Sequence, residues 1–93
     1  MRIDDYKINT IKQTVKKFDK DARIYLYGSM IDDTAMGGDI DLLILSNKID
    51  FKNKIYLKLK LKDRISDQKI DLLVKKSINT AFSRKAIEEG ILL

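Results

Sequence analysis

Asp39 and Asp41 stand one residue apart at the head of an apolar run, Asp39-Ile40-Asp41-Leu42-Leu43-Ile44-Leu45. On an extended strand, residues two apart project from the same face, about 7 Å apart at Cα. Their carboxylates can therefore converge on one or two cations, while Ile40 points into the opposite layer. By itself the pair carries little weight. The chain has 12 Asp in 93 residues, and Asp19/Asp21 is a second Asp-x-Asp. Context adds more. From Leu42 onward both faces of the run are apolar, as in a strand covered on both sides, and carboxylates at the start of such a strand are costly unless a cation or hydrogen-bond donors compensate them. Asp71 repeats the oddity within Lys69-Ile70-Asp71-Leu72-Leu73-Val74. One buried-strand Asp is usually an edge residue or locally hydrogen-bonded, but three on adjacent strands point to a metal site. Gly28-Ser29 is the fourth element. A glycine after a strand lets the backbone approach a ligand, and the following N–H groups with the Ser hydroxyl can cradle a phosphate. Alone, Gly-Ser is an ordinary turn.

Composition narrows the chemistry. The chain contains no His and no Cys, which removes Ser-His-Asp and Cys-His catalysis and the usual zinc sites. Carboxylates, Lys and hydroxyls remain, and carboxylates prefer hard cations such as Mg²⁺. Nineteen Lys+Arg against 14 Asp+Glu give a net charge of +5, which favours phosphate-bearing or acidic partners, or simply provides a solubilising surface. Hydrophobic residues at 44% and charged residues at 35% describe a globular protein. There is no apolar run near the ~20 residues of a membrane span, and MRIDDYKINT lacks the apolar segment of a signal peptide. A cytoplasmic protein is expected, as one domain over residues 1–93.

The elements that must position these residues follow from spacing. Ile8, Ile11, Val15 and Phe18 predict an amphipathic helix over 5–18, with Asp4 or Asp5 as its cap. Arg23–Tyr27 predicts a strand stopped by Gly28-Ser29. The segment 50–66 is ambiguous. IYLKLKLK, residues 55–62, alternates like a strand and mildly favours one, yet Phe51/Ile55/Leu59 and Leu57/Leu61/Ile65 also fit a helix capped by Asp50. KIDLLV predicts another strand. Ile78, Phe82 and Ala86 predict a helix ending near Glu89, with Gly90 stopping it before an apolar Ile91-Leu92-Leu93 tail.

Taken together, LYGSMIDDTAMGGDIDLLIL followed by KIDLLV resembles the polymerase-β nucleotidyltransferase superfamily at its minimal-nucleotidyltransferase end. The shared pattern is a hydrophobic strand, Gly-Ser, an Asp-x-Asp strand, and a third Asp one strand later, and the resemblance covers most of the chain. It implies an α+β fold: a helix, then β-α-β-α-β-α around a small mixed sheet, with 51–65 helical against the local alternation. It also implies Mg-dependent transfer of a nucleotide, AMP most naturally, from ATP or another NTP to a hydroxyl. Gly28 and Ser29 would hold the triphosphate, Asp39 and Asp41 two Mg²⁺ ions, and Asp71 would complete the second metal site and help take the acceptor's proton. Within this family, proteins of this size often act beside a small all-helical HEPN-type partner as a toxin–antitoxin pair, modifying the partner's tyrosine. A homo-oligomer could equally supply the missing substrate-holding surface. One alternative is a nucleotidyltransferase-fold binding module that neutralises or scaffolds a partner without chemistry. Met30-Ile31-Asp32-Asp33 favours it, because relatives commonly carry a basic or small residue and then a glycine there. Nucleic-acid binding through the six Lys and one Arg of Lys48–Arg64 is less favoured, since no RNA-recognition motif accompanies them.

Overall fold

The computed structural model describes residues 3–28, 39–66, 68–77 and 81–93, and only the backbone at 82. The order is α1 (Asp5–Phe18), β1 (Arg23–Tyr27), β2 (Ile40–Leu45), α2 (Phe51–Arg64), β3 (Ile70–Lys75), α3 (Ala81–Glu89) and β4 (Ile91–Leu92). This is the α+β architecture the resemblance implies. Ser29, Met30–Asp33, Gly37-Gly38, Ile78 and the helix expected between β1 and β2 lie outside the described residues.

α1 begins where Asp4 Oδ1 accepts from Lys7 N at 2.8 Å, which satisfies a donor the first turn leaves open. Its buried Thr10 and Thr14 turn their hydroxyls back onto Tyr6 O and Thr10 O, at 2.8 and 2.7 Å. They can therefore sit in an apolar interface without orphaned groups.

The sheet runs β3-β2-β1-β4. β1 is antiparallel to β2 and β4, while β2 and β3 are parallel. The parallel pair needs a crossover, and α2 supplies it. Ile24, Leu26, Ile40, Leu42, Ile44, Ile70 and Leu72 share one cluster with Ile11 and Val15 of α1 and Leu57 and Leu61 of α2. Leu43 is buried but outside that cluster, as alternation along β2 requires. Ala86 of α3 is likewise buried outside it, and α3 packs against β1. The sheet is thus covered by α1 and α2 on one face and by α3 on the other.

Residues 51–64 are helical, so the strand-like alternation is overruled. The physical reason is that the segment carries two apolar stripes. Leu57 and Leu61, with Ile65 after the helix, are buried, and Phe51, Ile55 and Leu59 turn outward. Interleaved with lysines, the two stripes imitate a period of two. Asp50 caps the helix by accepting from Asn53 N at 2.7 Å. The apolar tail is also more than a tail: Ile91–Leu92 closes the sheet edge as β4, and Leu93 N donates to Ile24 O at 2.9 Å.

Candidate active site

The β2/β3 register sets Asp41 directly beside Asp71, and the β1/β2 register sets Tyr27 directly opposite Asp41. Directly paired residues share a face, so Tyr27, Asp41 and Asp71 form one row across three strands spaced about 4.8 Å apart. Asp39 precedes β2 by one residue and lies on the same side as Asp41 by alternation. Ile40 and Ile70, between these polar residues in sequence, are buried on the opposite face. The strand pairing therefore brings Asp39, Asp41 and Asp71 to one corner of the sheet.

Gly28 adjoins them. Its φ is +80°, a conformation that favours glycine, and a Cβ there would run into Oδ2 of Asp41. The turn after β1 thus folds its backbone against the Asp41 carboxylate, and a side chain at this position would push the acid away. Ser29, the other residue expected to hold phosphates, lies outside the described residues.

Charge accumulates at this corner. Burial pushes the Asp41 carboxyl up from the usual aspartate range, and the nearby Asp71 and Asp39 carboxylates push it further, while Lys69 opposes them. The Tyr27 hydroxyl is raised by its burial and then by Asp41 and Asp71. Lys69 is a residue that spacing did not single out. Its Nζ lies 3.9 Å from Asp39 Oδ2 and 3.8 Å from Asp71 Oδ1. The signal was present, since Lys69 stands two before Asp71 on the same strand face, as Asp39 stands before Asp41. Tyr27 was equally legible as the residue before Gly28.

This donor set, all oxygen, all carboxylate and on one face, suits a hard divalent cation, although the Lys69 ammonium stands where it would compete with one. Among the described residues no three such side chains are gathered tightly enough to grip an ion as they stand. Closing on a cation would need Lys69, which is 68% exposed, to swing aside.

The second Asp-x-Asp pair serves the fold. Asp19, buried at the end of α1, accepts from Ser46 Oγ at 2.6 Å and from Asp21 N at 3.0 Å. Ser46 Oγ in turn accepts from Lys48 N and Ile49 N, each at 3.1 Å. The Ser46 hydrogen bond is the main reason the Asp19 carboxyl is held below its usual range. A cavity of about 410 Å³ opens here, at the opposite end of the sheet from Asp41. Asp19 is satisfied within the protein and has no need of a ligand.

A family model described as polymerase β, nucleotidyltransferase matches residues 9–93. The chain belongs to the polymerase-β nucleotidyltransferase family. No curated protein matches it. No helix among the described residues is long and apolar enough to cross a membrane.

Proposed function

We propose that the chain is a Mg-dependent nucleotidyltransferase that moves a nucleotide, AMP by preference, from an NTP to a hydroxyl on a partner protein. The observation that carries this is the pairing of Asp41 with Asp71 across parallel strands, with Asp39 on the same face and Gly28 folded against Asp41. In this reaction the acceptor oxygen bonds to the α-phosphorus, the α–β bridging bond breaks, and pyrophosphate leaves with that electron pair. Asp39, Asp41 and Asp71 would hold the metal ions. When bound, these supply charge neutralisation for the phosphates and lower the pKa of the attacking hydroxyl. Asp71, on the edge strand beside Asp41, would complete the second metal site and help take the acceptor's proton. Gly28 and Ser29 would hold the triphosphate. A HEPN-type helical acceptor, and with it an antitoxin role, is the form of this proposal that the minimal members of the family suggest.

The test is incubation with labelled ATP, Mg²⁺ and the product of the neighbouring gene, reading label on protein. Asp71→Ala should remove transfer yet keep much of the Mg-nucleotide binding, because Asp39 and Asp41 still serve the phosphates. Full transfer by Asp71→Ala would overturn the assignment. A second reading, a binding module without chemistry, is favoured by Lys69, whose ammonium lies between Asp39 and Asp71 where a cation would otherwise sit. Under it Asp71→Ala changes neither nucleotide nor partner binding.

A further inference from the structure

Seven large hydrophobic side chains are exposed among the described residues, and four of them, Phe51, Ile55, Tyr56 and Leu59, belong to α2. Phe51, Ile55 and Leu59 stand four apart, each step advancing only about 40° around the helix, so they form one continuous ridge. They are 77%, 49% and 59% exposed. The opposite side of the same helix is occupied, with Leu57 and Leu61 buried to 0% exposure in the core. The fold therefore does not need the outer ridge. Three contiguous apolar side chains left in water on one helix are the kind of surface a partner covers.

What covers it is decided by charge. α2 carries Lys52, Lys54, Lys58, Lys60, Lys62 and Arg64 against a single Asp63. On the helical wheel Lys58 stands about 20° before the ridge and Lys52 about 20° beyond it, while Lys62 falls within its arc one turn further along. A second copy docked ridge to ridge would set these lysines against their own equivalents, on a chain that already carries +5. A lipid surface suits a broad apolar face of about 100° or more, whereas this ridge is narrow, with ammonium groups close on both sides. A narrow apolar ridge bordered by Lys58 and Lys52 and followed by Lys62 instead matches a helix whose own apolar ridge is bordered by carboxylates.

We infer that the outer face of α2 is the docking site for an acidic amphipathic helix on a partner protein. Lys58 and Lys62 also line a pocket of about 330 Å³ that reaches Ser66, Gln68, Lys69 and Ile70. Lys69 contacts the Asp39 and Asp71 carboxylates. The carboxylates themselves project from the other face of the sheet, so a partner seated on α2 docks behind the carboxylate corner, and the inference does not rest on the transferase reading.

The test uses the whole chain and two synthetic helical peptides: one with leucines four apart bordered by glutamates, and a twin with lysines replacing the glutamates. Binding is followed by fluorescence anisotropy, with no nucleotide present, so the outcome is independent of catalysis. The acidic peptide should bind about tenfold or more tightly than its twin, and weaken as salt rises, because its contacts combine apolar burial with exposed ion pairs. Ile55→Ser with Leu59→Ser should abolish that binding. Lys58→Glu with Lys62→Glu should reverse the preference toward the lysine twin. All four positions are exposed, so both double variants should keep the wild-type circular dichroism spectrum. Equal binding of the two peptides, or binding unaffected by either double variant, overturns the inference. So does light scattering that shows wild-type dimers lost in Ile55→Ser/Leu59→Ser, which assigns the ridge to a second copy. Ridge-dependent binding to phosphatidylserine vesicles without peptide binding assigns it to lipid instead.

Discussion

Asp41 is flanked by Tyr27 and Asp71 in its own row, by Asp39 along the strand and by the Gly28 backbone. Its raised pKa has a definite consequence for stability. The folded state holds this proton more tightly than the unfolded chain, whose Asp titrates near 3.8. Stability therefore falls as pH rises from that value through the raised folded pKa, and at neutral pH the full cost of the ionised acid is present. In EDTA, Asp39→Asn with Asp41→Asn should melt at or above the wild-type temperature at neutral pH, and the advantage should shrink in acid. The same double variant should lose transferase activity by about 10²-fold or more, the scale of pre-organised charge stabilisation. Full activity would end the enzymatic proposal. Gly28→Ala should cost about 1 kcal/mol or more through its positive φ. It should also impair Mg-nucleotide binding, because the added carbon meets Asp41 Oδ2. Calorimetry of both properties checks this.

At the scale of elements, α2 is a helix with two apolar faces of opposite meaning. Leu61→Ala should cost about 2–5 kcal/mol in urea denaturation, while Leu59→Ala should stay within about 0.5 kcal/mol, because only the first opens a cavity. Comparable losses at both would contradict the packing. The join between α1 and β2 rests on Asp19 and Ser46. Removing the hydroxyl by Ser46→Ala leaves a buried carboxylate short of a donor, at a cost of about 1.5–3 kcal/mol at neutral pH. Asp19 has a lowered folded pKa, so its contribution is present above 3.8 and lost as pH falls through the lower folded value. The Ser46→Ala loss should accordingly fade in strong acid.

At the scale of the molecule, the carboxylate corner is open. The side chains of Asp39, Asp71 and Lys69 are 45%, 41% and 68% exposed. Phosphoryl chemistry gains from excluding water, so a further surface, from a partner or another copy, should cover this corner in the active form. Nucleotide titration and light scattering on the isolated 93-residue chain should show weak Mg-ATP binding that tightens on assembly. A strict monomer turning over at full rate would contradict this.

Local sequence was enough where one physical signal acted alone. The 3.6-residue period of Ile8, Ile11 and Val15 marked α1, and the acid before it marked the cap. The β-rich runs at 23–27 and 70–74 marked β1 and β3. The three acids were also visible as carboxylates misplaced in apolar strands, and the family pattern tied them to one chemistry. Residues 51–64 were not decided by local pattern, because burying Leu57 and Leu61 while leaving Phe51, Ile55 and Leu59 outside produces the same string as a strand. Only packing against α1 and the sheet separates those faces. Nor could spacing distinguish Asp19/Asp21 from Asp39/Asp41: the difference is Ser46, 27 residues from Asp19 in sequence. The bridge from Lys69 to Asp39, the opposition of Tyr27 and Asp41, and the Gly28 approach to Asp41 all join residues on different strands. Such contacts are set by sheet register, which long-range pairing determines and no single segment contains.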